Sequence, residues 1–396
     1  MKKVTIFSGR EVLLIAISVA VIVGSITWFI SGLVSSKKEL SNNAKDILNT
    51  YNDIVDNYYE EVDENELKNA AVNGMMDLLD EKYSIFLDDK YSNDFSTKLD
   101  GSYKGMGITI IKAANDKFLI FNVIKDSFAD KAGLKIGDEI LTINGVVLDP
   151  EMEVDEVGNL TKDVKYVRLE VMRNKELKIF DVTIGDVIIP VVSSEVFYND
   201  DYNLGYIELS SFTDNSSMQF NSALAAIEKE NIQGLIIDLR GNSGGYLLEA
   251  TNIASKFLIK GKKIVQLGTK TKKEIIYDET NESREYPIVI LTNQYSASAS
   301  EVLALALKEE YGAFIVGTKT YGKGRVQQMD KLSDDSMIKY TSALWYSPNG
   351  YNIDGIGIKP SIYVELNKKA YQNIEHNNDN QLVTGMNLIY NILSSR

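Results

Sequence analysis

The chain has 396 residues but no cysteine, a single histidine and only 5 prolines. The lack of cysteine excludes a thiol nucleophile, a disulfide framework, a cysteine zinc site and an iron–sulfur cluster. One histidine cannot supply a two-histidine zinc motif, and His376 lies in a strongly polar run that is typical of a solvated loop. If the protein is an enzyme, we therefore expect Lys, Asp, Glu or Tyr to carry the proton, and we expect no metal and no cofactor.

Basic residues are in the minority, with 42 Lys and Arg against 56 Asp and Glu, and the formal net charge is -14. No basic stripe with interleaved aromatic residues occurs, so the composition does not favour a nucleic-acid partner. The hydrophobic share of 44% and the charged share of 25% are ordinary for a globular protein. A chain of this length suggests two or three folded units.

An uncharged apolar stretch covers residues 12–34. At about 1.5 Å per helical residue it is long enough to span a bilayer core of roughly 30 Å. The alternative is a cleaved signal peptide, but the stretch exceeds the usual apolar region of roughly 7 to 15 residues and no Ala-x-Ala site follows it. Lys2, Lys3 and Arg10 precede the stretch and favour a cytoplasmic N-terminus. We predict a single-pass anchor in the cell membrane, with the catalytic part extracytoplasmic.

Two regions show the three- and four-residue apolar spacing of amphipathic helices. The first lies within residues 41–100 and is interpreted either as an arm or dimer surface or as packing onto the next domain. The second, residues 380–393, is interpreted as packing on the core or on a second subunit. A homodimer is therefore one possible assembly.

Residues 101–188 contain short β-like runs separated by glycine and aspartate, and a short helix at 127–132 is closed by Gly133. The stretch AGLKIGDEILTING at 132–145 and the glycine loop before it resemble a PDZ domain. This resemblance implies that an extended C-terminal peptide adds to the sheet as a strand, with its carboxylate bound by backbone N–H groups. The alternative is that the glycines only shape a turn. The peptide-binding loop that the resemblance implies is Gly105, Met106, Gly107 and Ile108.

From residue 202 onward, strands and helices alternate, which predicts a mixed α/β domain with a largely buried sheet. Two turns, within 235–246 and 288–302, each join a buried strand to the start of a helix. Because a helix N-terminus has free N–H groups and a partial positive charge, such a turn can stabilise an oxyanion. The second turn carries Ser296, Ser298 and Ser300. Helix capping is the alternative role for these serines, and Ser300 with Glu301 resembles ordinary helix-start chemistry.

A lysine, Lys323, lies between two glycines in the segment TYGKGRVQ. A lysine with a pKa of about 10.4 is protonated at neutral pH, but desolvation can lower its pKa by several units. Gln327 follows four positions later and can orient the amine through its amide oxygen. The alternative is an ordinary turn with a solvated lysine.

Together these motifs resemble the carboxy-terminal processing peptidases, also called tail-specific proteases. Family members carry SASASE and, 25 residues after its middle serine, the lysine of T-x-GKG-x-x-Q; here Lys323 follows Ser298 at that spacing. The match extends to DLRGN-x-GG from Asp238 and to GIGIKP from Gly355, and it covers residues 45–366 approximately. The implied fold is α/β, with a PDZ domain and a crotonase-like protease domain after the anchor and helical arm.

The resemblance implies that Ser298 is the nucleophile, Lys323 the general base and then acid, and Gln327 the group that orients Lys323. A Ser/Lys pair is a known variant of the catalytic triad that needs no histidine. The implied oxyanion hole consists of backbone N–H groups from Ala299 and from the Gly244 and Gly245 turn.

Two positions depart from the family pattern without touching the dyad. Ser243 replaces the usual Pro or Gly of the glycine turn, and Ser361 stands where an Asp usually follows the late proline. We expect these two departures to affect only the conformation of the loops and the gating of the site.

The predicted function is that of a membrane-anchored serine endopeptidase whose partners are protein or peptide substrates with exposed C-terminal tails. The alternatives are an inert membrane-anchored PDZ scaffold and an enzyme of the related acyl-CoA hydratase fold. The predicted segments are the anchor 1–37, helical region 38–100, PDZ domain 101–188, protease domain 189–366 and C-terminal helix 367–396.

Overall fold

The computed structural model describes residues 40–367 and 378–395. It divides the chain into two compact units, Met1–Met75 and Met76–Arg396. Within the described ranges, no helix has the length and apolar character needed to cross a bilayer. The predicted anchor at 12–34 and His376 lie outside those ranges, so both interpretations stay predictions.

The described part of the first unit is helical. Helix α1, Asn42–Asn57, begins at Ser41, whose Oγ accepts a hydrogen bond from the N–H of Ala44 at 3.2 Å. Helix α2, Glu64–Asp77, follows, and its last residues belong to the second unit. The spacing therefore predicted the helices correctly. Several apolar side chains of α1 are exposed, namely Ile47, Leu48 and Ile54.

The second unit opens with a short strand and a capped helix. Strand β1, Ile85–Leu87, interrupts the region that the sequence indicated as helical. Helix α3, Asp89–Asp100, begins at Asp88, which accepts a hydrogen bond from the N–H of Tyr91 at 2.9 Å. It ends at Gly101, whose left-handed φ of 62° suits a glycine.

A β-rich domain follows, and its elements match the runs that predicted a PDZ domain. A ribbon of β2 and β9 stands beside a six-stranded antiparallel sheet with the order β3-β4-β5-β7-β8, in which β6 pairs with β5. Strand β3 therefore lies at the edge of the sheet. The elements are β2 Ser102–Gly105, β3 Ile108–Lys112, β4 Phe118–Val123, α4 Phe128–Ala132, β5 Glu139–Ile143, β6 Val146–Val147, α5 Val154–Asn159, β7 Tyr166–Arg173, β8 Glu176–Thr183 and β9 Gly185–Ile188.

The next domain is built on a six-stranded sheet with the order β10-β11-β12-β15-β16-β19, parallel except for the β10–β11 pair. Strands β12 and β15 are buried along their whole length, as their continuous apolar runs require. The predicted mixed α/β domain with a buried sheet is confirmed. The strands are β10 Val192–Phe197, β11 Leu204–Leu209, β12 Gly234–Asp238, β15 Ile288–Thr292, β16 Phe314–Gly317 and β19 Ile362–Tyr363.

Helices cover both faces of this sheet. Helices α6 Ser216–Glu228, α7 Leu247–Ala254 and α8 Ala299–Ala306 share a core with one face, and α8 continues into a π-helical turn, Leu307–Tyr311. Helix α9, Asn380–Ser394, packs on the other face, where Leu382 and Ile389 are fully buried. The sequence analysis left open whether this helix packs on the core or on a second subunit. In the structure it packs on the core.

A second sheet, which the sequence did not separate from the first, has the order β1-β18-β13-β14, with β17 beside β18. Its strands are β13 Lys263–Gly268, β14 Lys273–Tyr277, β17 Arg325–Lys331 and β18 Met337–Tyr346. Strands β13 and β14 lie between β12 and β15 in the sequence. They therefore belong to the crossover connection between these two parallel strands.

Candidate active site

Three neighbouring parallel strands end at the same edge of the sheet. Strands β12, β15 and β16 pair in that order. The chain then enters the glycine turn 239–245 after β12, the serine turn 293–298 after β15 and the lysine loop 318–324 after β16. Parallel strands bring their carboxyl ends together, and ligand sites of open α/β sheets lie there. The topology thus joins three motifs that are far apart in the sequence.

These loops line one cavity of about 800 Å³. The cavity is lined by the predicted nucleophile, base and orienting group, together with the predicted oxyanion turn and the start of α8. The predicted residues that line it are Ser298, Lys323, Gln327, Ala299, Gly244 and Gly245.

Ser298 occupies the N-cap position of α8 with φ 56° and ψ -115°. A positive φ costs a non-glycine residue roughly 1–2 kcal/mol, and such strain persists where surrounding contacts enforce it. The flanking serines supply contacts of this kind. Ser296 Oγ donates to the carbonyl of Leu239 at 2.7 Å, and Ser300 Oγ donates to the carbonyl of Asn242 at 2.9 Å. Of the three serines, Ser298 is the one that lines the cavity.

The glycine turn lies directly against the serine turn. A Cβ on Gly244, whose φ is 102°, would lie 2.9 Å from Ser298 Cβ and 3.1 Å from the nitrogen of Ala299. The N–H of Gly244 donates to Asn242 Oδ1 at 2.9 Å. Within the described ranges, no protein hydrogen bond engages the N–H of Gly245 or of Ala299. Among the three predicted oxyanion donors, these two are therefore the ones available to a ligand.

Lys323 is half-buried, and its backbone is held in a tight loop. A Cβ on Gly322 would lie 2.6 Å from the nitrogen of Gly357, and a Cβ on Gly324 would lie 2.7 Å from Asp354 Cβ. The glycines on both sides of Lys323 thus permit close packing against the loop that contains the late GIGIKP motif.

The Lys323 side chain lies beside the ring of Tyr83. Its Nζ lies 5.0 Å from the centroid of the Tyr83 ring, and no hydrogen bond within the described residues joins it to Ser298 Oγ. Burial lowers the pKa of the Lys323 ammonium, and repulsion from the Lys339 ammonium lowers it further. Attraction to Tyr321, Glu81 and Glu301 opposes this shift.

Gln327 lies on β17 at a register shift next to Val326. Its Nε2 is buried and has no hydrogen-bond partner among the described residues. The structure therefore brings Gln327 into the cavity of Lys323 without the hydrogen bond that the sequence predicted. A buried NH₂ donor that lacks a partner is costly, and an acceptor oxygen of a ligand would satisfy it.

Glu301 joins the serine turn to the lysine loop. Its Oε2 accepts hydrogen bonds from the N–H of Ser298 and from the N–H of Lys323, both at 2.9 Å. Its Oε1 accepts from the Thr320 hydroxyl and, at 2.8 Å, from the N–H of Gly322. Burial raises the pKa of the Glu301 carboxyl, while these hydrogen bonds act in the opposite direction. All four partners are donors, so they match the ionised carboxylate.

The role of Glu301 was missed by the sequence reasoning, which interpreted it as helix-start chemistry. That interpretation described only its bond to Ser298. The available signal was the position of a glutamate three residues after the serine, but the partners at 320–323 depend on the tertiary structure.

The predicted peptide-binding loop connects β2 to the edge strand β3. Gly105 ends β2, Met106 is buried in the domain core, and Ile108 begins β3. Gly107 has a φ of 92°, and a Cβ there would lie 2.3 Å from the Cβ of Ser127. The N–H groups of Met106 and Gly107 form no protein hydrogen bond within the described residues. This loop therefore presents free backbone donors at the end of an edge strand.

Ser243 and Ser361, the two residues that depart from the family pattern, lie in different parts of the structure. Ser243 lines the cavity beside Gly244. Ser361 Oγ accepts a hydrogen bond from the N–H of Ile315 at 3.1 Å, so it fixes the segment that follows the late proline against β16. Within the described residues, neither serine forms a hydrogen bond with Ser298 or Lys323.

A PDZ-like domain next to an α/β domain with a strained serine and a half-buried lysine in one cavity is the architecture of the PDZ-containing serine proteases. Comparison with protein families agrees. Residues 203–364 match peptidase family S41, residues 104–184 match the PDZ domain, and residues 30–91 match the N-terminal domain of the activating protease CtpB. The chain belongs to the carboxy-terminal processing proteases of peptidase family S41.

Two curated relatives come from Bacillus subtilis (strain 168). Carboxy-terminal processing protease CtpB is 33% identical over 309 residues, which cover 77% of this chain and 64% of the relative. Carboxy-terminal processing protease CtpA is 33% identical over 310 residues, which cover 77% of this chain and 66% of the relative. The chain thus spans less than two thirds of the length of these relatives.

A solved structure of a proposed S41 protease from Bacteroides fragilis superposes with a TM-score of 0.51 at 16% identity. The superposition covers 85% of this chain and 92% of the Bacteroides fragilis chain. At this identity the similarity shows the fold alone.

Proposed function

We propose that this protein is a membrane-anchored serine endopeptidase that cleaves proteins or peptides with exposed C-terminal tails. The observation that carries the proposal is the backbone of Ser298, which is strained at a helix start and shares one cavity with the half-buried Lys323. Strained backbone at a nucleophile and an amine with a lowered pKa are features that active sites concentrate.

In the proposed reaction, neutral Lys323 takes the proton from Ser298 Oγ, and Oγ attacks the carbonyl carbon of the scissile peptide bond. Protonated Lys323 then gives the proton to the leaving amine, and water hydrolyses the acyl-enzyme by the reverse sequence. A positioned base contributes roughly 10²- to 10⁴-fold to such a rate. Gln327 orients the amine once Lys323 has turned toward Ser298.

The developing oxyanion accepts hydrogen bonds from the N–H groups of Ala299 and Gly245 in this proposal. Both are without protein partners in the described residues, whereas the N–H of Gly244 is bonded to Asn242. Gly244 instead provides the space for the serine turn. The loss of one oxyanion donor typically reduces kcat by roughly 10²- to 10³-fold.

Substrate tails bind at the edge of the PDZ-like sheet in the proposed mechanism. Strand β3 has a free edge onto which an extended tail adds as a further strand, and helix α5 flanks it. The free N–H groups of Met106 and Gly107 bind the terminal carboxylate. A tail that binds the active arrangement more tightly than the resting one shifts the equilibrium toward it.

Residues 12–34 anchor the protein in the cell membrane, with the protease domain extracytoplasmic, in this proposal. The support is the uncharged apolar length of that stretch. The exposed apolar residues of α1, Ile47, Leu48 and Ile54, support an arm that takes part in a homodimer.

The test uses the full chain in detergent with casein and with a tailed protein as substrates. We expect cleavage by the wild-type chain and none by Ser298→Ala or Lys323→Met. Cleavage that survives Ser298→Ala removes Ser298 from the mechanism. An absence of cleavage by the wild type favours the inert scaffold, which membership of the family does not favour.

A further inference from the structure

The cavity at Ser298 is positively charged although the protein is acidic. Among the described residues that line it, Lys98, Lys323, Arg325 and Lys339 are basic and none is acidic. The whole chain has a net charge of -14. A cleft with charge of one sign and partly apolar walls concentrates ligands of the opposite sign. The lining therefore favours a substrate segment that carries negative charge.

The four cations differ in what already neutralises them. Arg325 pairs with Asp354 at 2.9 Å and with Glu81 at 3.4 Å. Lys98 is exposed to solvent, and Lys323 is the proposed base. Lys339 is the remaining cation, and its surroundings decide what the cavity accepts.

Lys339 is half-buried on β18, between β1 and β17. Its Nζ lies 4.8 Å from the centroid of the Phe95 ring, which also lines the cavity. Within the described residues, Lys339 forms no ion pair, and Glu81 attracts it only from a greater distance. A half-buried ammonium without a carboxylate is incompletely compensated for its lost hydration. A carboxylate brought by a ligand would supply that compensation.

We propose that Lys339 is a specificity-determining residue that binds a carboxylate of the substrate inside the cavity of Ser298. The inference rests on the proposed peptidase function and adds the class of substrate: a segment with a carboxylate close to the scissile bond. Phe95 and Trp345 provide apolar walls on which the rest of that segment packs. Two groups have the required chemistry, the side chain of Asp or Glu and the terminal carboxylate of the tail.

Binding is measured first, on the full chain with Ser298→Ala, so that no turnover is needed. The probes are fluorescent peptides that are identical except for one Glu, Gln or Lys moved along the sequence, each made as free acid and as amide. We expect the best Glu peptide to bind about tenfold more tightly than its Gln counterpart, a difference of about 1.4 kcal/mol. The added Lys339→Met substitution removes this difference, and Lys339→Arg retains it.

Lys331→Met is the matched control. Lys331 ends β17, is exposed, and lies 4.0 Å from Asp335 as part of an ion pair outside the cavity. Its loss changes the net charge as Lys339→Met does, so we expect the preference for Glu to remain. Lys339→Gln and thermal unfolding of each variant separate lost recognition from lost folding.

Cleavage is measured second, as kcat/KM of the same peptides without the Ser298 substitution. We expect the wild type to prefer Glu over Gln about tenfold and Lys339→Met to treat them equally. If only the change from free acid to amide depends on Lys339, the terminal carboxylate is the bound group. A preference that persists in Lys339→Met, as binding at the PDZ-like edge alone would produce, overturns the inference. Binding that depends on Lys339 without any cleavage supports the inference and counts against the peptidase function.

Discussion

The ammonium nitrogen of Lys323 lies 5.0 Å from the centroid of the Tyr83 ring. The face of an aromatic ring attracts a cation, so this contact favours the charged form of the lysine. Burial favours the neutral form. In the proposed mechanism, the charged lysine is held at the ring and the neutral amine moves to Ser298. Deprotonation and approach to the proposed nucleophile are then coupled.

The pH dependence of kcat/KM follows from that coupling. The proposed base is the neutral amine, so activity rises as pH rises through the pKa of Lys323. Burial and Lys339 lower that pKa, while Tyr321, Glu81 and Glu301 raise it, and the net direction is downward. We expect the midpoint of the rise to lie below the ordinary lysine value of about 10.4. Peptide cleavage measured from neutral to alkaline pH provides this midpoint.

Lys323→Arg is the control for the pH experiment. A guanidinium keeps its proton at every accessible pH, so the variant is expected to be inactive throughout the profile. An activity profile that is flat with pH, or a Lys323→Arg variant as active as the wild type, contradicts the proposed base.

Substitution of Glu301 by Gln is expected to reduce kcat by about 10²-fold. An amide offers one acceptor oxygen, so its NH₂ group faces backbone donors at Ser298 and Lys323 or at Gly322. A misplacement of reacting groups by about 1 Å can cost this much. The measurements are kcat and KM on one peptide, with thermal unfolding to follow an expected loss of about 1–3 kcal/mol.

Glu309→Gln is the matched control for Glu301→Gln. Glu309 accepts one backbone hydrogen bond, from the N–H of Asn349 at 2.8 Å, and does not line the cavity. We expect near wild-type kcat from this variant. Equal losses of kcat in the two variants would mean that the Glu301 carboxylate has no special part in positioning Ser298 and Lys323.

Gly244 and Gly241 lie in the same turn and both have positive φ, at 102° and 76°. A Cβ on Gly244 meets the serine turn, whereas a Cβ on Gly241 has nothing within 4 Å. Gly241→Ala is expected to cost about 1–2 kcal/mol of folding free energy with little change in kcat. Gly244→Ala adds a backbone clash, for a total of roughly 2–5 kcal/mol, and displaces Ser298 with a loss of about 10²-fold in kcat.

Denaturant unfolding and kcat on the two variants test this pair. If Gly244→Ala retains the kcat of Gly241→Ala, the glycine turn does not control the serine.

Local patterns predicted the buried sheet of the α/β domain, and the family resemblance of residues 132–145 predicted the PDZ-like domain. The apolar runs of β12 and β15 are continuous because both faces of those strands are buried. The second sheet was not predicted, because its pairing joins distant segments, as Gln266 opposite Tyr346 illustrates. No periodicity within either segment carries that information.

The same limit applies to the site. The resemblance to the family motifs brought Ser298, Lys323 and Gln327 together as candidates, and all three line one cavity in the structure. The sequence could not show that the Lys323 ammonium contacts the ring of Tyr83, because Tyr83 lies in a different region of the chain. The sequence also left three oxyanion donors equivalent, and only the bond from Gly244 to Asn242 distinguishes them.

Activation by a substrate tail is the remaining prediction. A free peptide with a terminal carboxylate, added to the full chain, is expected to raise the rate of cleavage of a separate short reporter peptide. In the proposed mechanism, the tail binds the arrangement in which Lys323 has left Tyr83 more tightly than the resting one. The amidated peptide, which offers no carboxylate to Met106 and Gly107, is expected to activate much less. The rate is measured over a range of tail concentrations.

Gly107→Ala and Gly145→Ala form the matched pair for this test. Both glycines lie in the PDZ-like domain with positive φ, but a Cβ on Gly107 would lie 2.3 Å from Ser127 Cβ, whereas a Cβ on Gly145 has nothing within 4 Å. We expect Gly107→Ala to lose activation by the tail and Gly145→Ala to retain it. Since both substitutions carry a similar φ strain of about 1–2 kcal/mol, a difference between them reports on the loop itself. Equal cleavage rates with and without the tail in the wild type would show that the PDZ-like domain does not regulate the protease domain.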